Sequence, residues 1–171
     1  MKENPRDHLV DGYNRMMERV KAALEEVGEK APTLEQALAR ARDKAVELKE
    51  LSREEAGQIS DYVRRDIEEA GRHLAESGTE LRSWLSFDME LIEDRLLDML
   101  FSVADRTTLE LMQFQERMAQ SAVYRTGEVT GPGVLECTAC GERLHFSRTG
   151  RIPPCPRCAG TEFRRPLPQG R

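Results

Sequence analysis

Aromatic side chains make up only 5% of the 171 residues, with one tryptophan. An all-β fold or a large aromatic core does not fit that composition. Long apolar runs are missing as well. The longest, Leu96 to Ala104, contains Asp98 and is too short to cross a bilayer. The polar opening Met1-Lys2-Glu3-Asn4-Pro5-Arg6-Asp7 has no apolar signal segment behind it, so the sequence reads as a soluble, cytoplasmic protein. No glycine-rich phosphate loop and no nucleophile-elbow motif occurs. The one Glu-x-x-His is Glu142-Arg143-Leu144-His145, unpaired, so an inward-facing di-iron carboxylate site is not encoded. His8 and His73 read as solvated histidines on polar helix faces. These absences point away from an enzyme.

What is abundant is Ala, Leu, Glu, Lys and Arg, about 47% of the chain, alongside 33% charged residues, the composition of long surface helices or coiled coil. Charge is divided unevenly. Residues 1–124 carry a net −9 and residues 125–171 a net +4, although the whole is −5. Two segments with different partners are expected.

From Pro5 to about residue 121 apolar residues recur at three and four. Leu9, Tyr13, Met16, Val20, Ala23 and Val27 form a heptad seam, with Pro5 suited to a first helical turn and Gly28 to an end. Thr33-Leu34-Glu35-Gln36 has the reciprocal capping-box pattern and opens a stripe of Leu34, Leu38, Ala41, Ala45 and Leu48. Ser52-Arg53-Glu54-Glu55 repeats it before Ile59, Val63, Ile67, Ala70 and Leu74, and the junction before Ser52 has neither Gly nor Pro, so a kinked continuous helix is an open alternative. A fourth helix carries Leu85, Met89, Ile92, Leu96, Met99 and Val103 as the central core element. Thr107-Thr108-Leu109-Glu110 then opens a fifth, with Leu111, Phe114 and Met118 inside. The methionines, Met16, Met17, Met89, Met99, Met112 and Met118, read as core filler. Alanine-rich stripes bury modest area, so the helices are expected to associate with a protein partner or with themselves.

Composition breaks at Tyr124-Arg125-Thr126-Gly127-Glu128-Val129-Thr130-Gly131-Pro132-Gly133. The reading is therefore mainly α: an elongated antiparallel helical bundle or coiled coil over residues 1–121, a linker or entry turn over 122–134, a small C-terminal β ribbon over 135–166, and a tail over 167–171.

All four cysteines lie in the ribbon, as Cys137-x2-Cys140 and Cys155-x2-Cys158 with fourteen residues between the pairs. Two residues between cysteines make a knuckle that brings both sulfurs to one ion at about 2.3 Å, and two knuckles supply a full tetrahedron, leaving no place for a catalytic water. One structural Zn2+ is expected. Disulfides suit a secretory context that is not seen here, and a rubredoxin-like iron site would have more aromatic neighbours than Phe146 and Phe163. Ala159 stands where glycine would take positive φ more easily, with Gly160 as a possible compensation. His145 fits a strand residue rather than a ligand. Leu135, Leu144, Phe146, Ile152 and Phe163 supply a mini-core too small to fold without metal.

The string Tyr124-x-x-Gly127-Glu128-Val129-x-Gly131, Leu135-x-Cys137-x-x-Cys140, Cys155-Pro156-x-Cys158 and Phe163-x-Arg165-Pro166 resembles the YbeL-like zinc-ribbon-containing proteins of bacteria, a domain of unknown function. Upstream, Leu51-Ser52-Arg53-Glu54-Glu55 and Arg64-Arg65-Asp66 are similar to that family's helical half. The resemblance implies a helical region followed by a zinc ribbon on Cys137, Cys140, Cys155 and Cys158, with no established activity.

Zinc ribbons commonly present a rigid surface to macromolecules. Arg143, Arg148, Arg151, Arg157, Arg164 and Arg165 are candidate contacts for phosphates or a partner. Four thiolates and one Zn2+ carry −2, which cuts the ribbon's +4 to about +2, and the segment has no lysine and few aromatics for base stacking. The expectation is a non-enzymatic adaptor whose ribbon docks on a macromolecular assembly, with direct RNA or DNA binding as the alternative and a rubredoxin-like redox module as a lesser one.

Overall fold

A computed structural model describes residues 5–26, 32–77, 94–107 and 122–166. Over these residues the chain forms four helices, α1 (Pro5–Leu24), α2 (Leu34–Glu47), α3 (Arg53–Ser77) and α4 (Asp94–Arg106), followed by six short strands. Helix α1 packs against α2, α3 and α4, and α3 packs against α2 and α4.

The two expected capping boxes that lie wholly within the described residues take their reciprocal form. The Gln36 N–H donates to Thr33 Oγ1 at 3.2 Å while the Thr33 N–H donates to Gln36 Oε1 at 3.1 Å. At α3 the Glu55 N–H reaches Ser52 Oγ at 3.1 Å and the Ser52 N–H reaches Glu55 Oε2 at 2.9 Å. Helices α2 and α3 are not continuous. The Glu50 N–H returns to the Ala45 carbonyl and the Lys49 N–H to that of Val46, each at 3.0 Å, which is a Schellman termination with Lys49 at φ 56 in the left-handed position. Leu48, expected on the inner stripe, caps α2 and is 50% exposed, because the turn rotates it off the buried face.

The apolar stripes fill one core. Tyr13, Met16, Met17 and Val20 of α1, Leu34, Leu38, Ala41 and Ala45 of α2, and Ile59, Val63, Ile67 and Ala70 of α3 are all buried in it. Helix α4 contributes Met99 and Val103 as expected, and also Leu97, Leu100, Phe101 and Ala104, so it is buried over more of its circumference than a single seam. His73 is 5% exposed rather than solvated. Thr107 is buried and its hydroxyl donates to the Val103 carbonyl at 2.8 Å. Val27, Gly28, Leu85, Met89, Ile92 and the helix read from Thr108 through Met118, Met112 included, lie outside the described residues, as does the Leu96 side chain.

The strands are β1 (Tyr124–Arg125), β2 (Val129–Thr130), β3 (Gly133–Cys137), β4 (Arg143–Phe146), β5 (Gly150–Arg151) and β6 (Glu162–Arg164). They make a four-stranded sheet in the order β1-β6-β3-β4 and a two-stranded β2-β5 pair, with every pairing antiparallel. Residues 122–134, expected as a linker or entry turn, thus hold β1, β2 and the start of β3. Tyr124, Leu135, Ile152 and Phe163 form the buried mini-core with Cys137 and Cys155, and Leu144 and Phe146 pack at its edge.

Candidate metal centre

Each cysteine pair sits on the same backbone device. In the first, the Cys137 N–H donates to the Glu142 carbonyl at 2.8 Å and the Gly141 N–H returns to the Cys137 carbonyl at 2.9 Å. In the second, the Cys155 N–H donates to the Gly160 carbonyl at 2.9 Å and the Ala159 N–H returns to the Cys155 carbonyl at 2.8 Å. The residue after each second cysteine is left-handed, Gly141 at φ 74 and Ala159 at φ 58. Alanine therefore occupies the strained position itself. Gly160 serves a different need: a Cβ there would lie 3.1 Å from the sulfurs of both Cys137 and Cys158, so glycine lets the backbone close over the site without displacing them.

The four Sγ atoms all lie within 4.8 Å of one another. Cys137 and Cys158 are 3.6 Å apart and Cys140 and Cys155 are 3.5 Å apart, each contact bridging the two knuckles. A tetrahedron with metal–sulfur bonds of about 2.3 Å has edges of about 3.8 Å, so the donor set fits a tetrahedral ion. The Gly160 N–H points at Cys158 Sγ at 3.4 Å, the kind of outer donor that steadies a thiolate.

Electrostatics point the same way. Desolvation pushes the Cys155 thiol up, but the N–H groups of Cys158 and Arg157 and the neighbouring thiols outweigh it and bring it down to about 7. At Cys140 the Glu142 N–H works downward, yet desolvation and the other three cysteines push the thiol up to about 12. Crowded sulfurs cannot all ionise together unless a cation neutralises them. Cys137 and Cys155 are buried, Cys140 is half-buried and Cys158 is exposed.

The candidate contact arginines differ in their surroundings. Arg164 and Arg143 both pair with Glu136, at 2.9 and 3.5 Å, and Arg157 lies 3.9 Å from Glu142. Hydrogen bonding to Arg164 in particular holds the Glu136 carboxyl below the usual range. Arg151 donates to the Gly127 carbonyl at 3.0 Å, and Arg148 is exposed. Arg165 is 5% exposed and is no surface contact. It donates to Tyr124 Oη at 3.3 Å, to the Val134 carbonyl at 3.4 Å and to Thr130 Oγ1 at 2.9 Å.

Arg165 leads into a buried polar joint between ribbon and helices. Thr130 Oγ1 donates to Asp66 Oδ2 at 3.1 Å, and Asp66, which is fully buried, also accepts from the Gly131 N–H at 2.8 Å and from Tyr13 Oη at 2.6 Å. Burial and the adjacent Asp66 push the Tyr13 phenol well above its ordinary value, keeping it a donor. Arg65 donates to Glu128 and to the Val129 carbonyl, and lies over the Tyr124 ring 3.9 Å from its centroid. Glu69 accepts the Ala122 N–H at 3.0 Å at the ribbon's entrance. None of these roles is evident from residue type, because Asp and Arg read as surface groups. The available signal was the set of non-cysteine positions in the family string, Tyr124, Glu128, Val129, Gly131 and Arg165, with Arg65-Asp66 upstream.

Two knuckles of two sulfurs each, closing a small antiparallel sheet, define a metal ribbon mounted on helices. The family described as "Zinc-ribbon containing domain" matches residues 21–166, and the chain belongs to it. Proteins from three Escherichia coli strains, each named "Uncharacterized protein YbeL", are 32% identical over 125 residues, covering 73% of this chain and 77% of theirs. No solved structure matches the chain. No described helix is long and apolar enough to cross a membrane.

Proposed function

We propose that the chain is a non-enzymatic zinc protein, in which Cys137, Cys140, Cys155 and Cys158 hold one structural Zn2+ and the ribbon so folded is carried by the helices to a macromolecular assembly in the cytoplasm. The observation that carries this reading is the convergence of four sulfurs with both knuckles closed, which uses all four positions of a tetrahedral ion. The bound ion supplies folding free energy to a segment whose own core is six side chains.

Tyr13, Met16 and Val20 of the α1 seam are buried within the chain, and Leu48 and Val123 are the large apolar side chains left exposed among the described residues. That favours a bundle whose described helices pack on one another over a coiled coil that needs a second copy. Direct nucleic-acid binding is less supported, since Arg143, Arg157 and Arg164 face carboxylates and Arg165 is buried.

Native mass spectrometry tests the metal, with one zinc per chain expected and a colourless protein. A red, iron-holding protein would replace this reading with the redox one. A mobility assay with single-stranded RNA and duplex DNA at low salt tests the role. No shift is expected, whereas a salt-sensitive shift removed by Arg148→Glu with Arg157→Glu would establish nucleic-acid binding instead.

A further inference from the structure

We propose that the Asp66 joint is a metal-responsive coupling device, through which zinc occupancy of the ribbon sets how tightly α1 and α3 close. This rests on the zinc reading above. The covalent path is short. Four residues after Cys158 the chain enters β6, where Phe163 pairs with both Cys137 and Tyr124, so the sulfur site and the β6 register are one structure. Arg165 is the next residue beyond β6, and its guanidinium reaches Asp66 Oδ1 directly at 3.8 Å and also Thr130 Oγ1, which itself donates to Asp66.

The helical side is built to receive this. Asp66 of α3 takes the Gly131 N–H, the Thr130 hydroxyl and the Tyr13 phenol of α1. A Cβ on residue 131 would lie 3.0 Å from Tyr13 Oη, so the ribbon backbone approaches the helices as closely as glycine permits. Val129 enters the helical core beside these groups. Without zinc the ribbon loses most of its folding free energy, β6 no longer holds Arg165, and Thr130 and Gly131 leave with β2. Asp66 then keeps Tyr13 and the Arg65 guanidinium, which lies 3.5 Å from its Oδ1, but loses Arg165, Thr130 and the Gly131 N–H. A buried carboxylate short of partners is strongly unfavourable, so α1 and α3 must part to hydrate it. By linkage the same coupling works in reverse, and an intact joint tightens zinc binding by the same factor.

Amide hydrogen exchange of the full chain, read by mass spectrometry with zinc and after its removal by a chelator, tests the device. For the wild type, exchange over residues 59–70 should quicken about tenfold when zinc is removed, within the usual range of coupling. In Asp66→Asn, whose neutral amide needs no such hydration, that ratio should fall towards one, and zinc affinity by chelator competition should weaken about tenfold. Thr130→Val, which removes the Thr130 hydroxyl from Asp66 and from Arg165 and leaves only the direct ion pair between those two, should act in the same direction to a smaller extent if Asp66→Asn folds poorly. Equal exchange with and without zinc in a wild-type chain that binds one zinc would overturn the coupling and leave the zinc reading intact. A wild-type ratio retained in both variants would also overturn it. A chain that binds no zinc overturns both.

Discussion

Replacing Gly131 by alanine probes the closest approach of ribbon to helices. Its φ lies outside the left-handed region, so alanine is allowed by the backbone and would ordinarily stabilise by about 0.4–1 kcal/mol through the unfolded chain. The structure reverses that sign. The new Cβ would sit 3.0 Å from Tyr13 Oη and 3.6 Å from Asp66 Oδ2. Neither neighbour is free to yield, because Tyr13 is held to Asp66 at 2.6 Å and Asp66 is fixed in turn by Thr130 and by the Gly131 N–H itself. Overpacking at such a place costs about 1–3 kcal/mol. For a chain of this size that lowers Tm by about 2–4 °C per kcal/mol. The assay is thermal unfolding of the zinc-loaded chain, followed by helical circular dichroism. Tyr13→Phe removes the oxygen the Cβ meets, at the loss of a hydrogen bond to a carboxylate of about 1.5–3 kcal/mol. The double variant should therefore lose less than the sum of the two single losses, by about 1 kcal/mol. A Gly131→Ala protein as stable as the wild type, or strict additivity with Tyr13→Phe, would refute the claim that this contact is tight.

Four other outcomes follow from the same geometry. Cys→Ser at any of the four metal positions should abolish zinc binding and unfold the ribbon while helical dichroism is retained with a lower Tm; loss of the helices along with the zinc would contradict this. Ala159→Gly should relieve the left-handed alanine and raise ribbon stability by about 0.5–1 kcal/mol, seen as slower zinc loss to a chelator. Lys49→Gly should stabilise the α2 terminus by a similar amount, measured by urea unfolding. In acid, hydrogen bonding to Arg19 holds Glu50, the Ser52 N–H holds Glu55 and Arg164 holds Glu136 below the ordinary carboxylate range. Their stabilisation is present above the unfolded value of about 4.3 and is lost as pH falls through the depressed folded values. The urea midpoint should therefore drop below about pH 4.5, and less steeply in Glu50→Gln.

Local signals carried well from sequence to structure where one short segment determines the outcome. Thr33 with Gln36 and Ser52 with Glu55 satisfy one another three residues apart, so both helix starts were readable. The cysteine knuckles were readable for the same reason. Residues 122–134 were not, since strands of two residues have no alternation to detect and their glycines and proline look like a linker. Lys49 ends α2 in a conformation associated with glycine, which left the break after that helix unmarked. Asp66, Arg165 and His73 are buried only because distant segments meet over them, and charge or polarity in the sequence argues for the surface. Of the ribbon's candidate arginines, Arg143 and Arg164 pair with Glu136, Arg157 lies near Glu142, Arg151 holds the Gly127 carbonyl, Arg148 is exposed and Arg165 is built into the joint.

Zinc K-edge X-ray absorption of the purified full-length chain addresses the central claim most directly. Four sulfur neighbours at about 2.3 Å are predicted. A first shell containing nitrogen or oxygen, or fewer than four sulfurs, would contradict it.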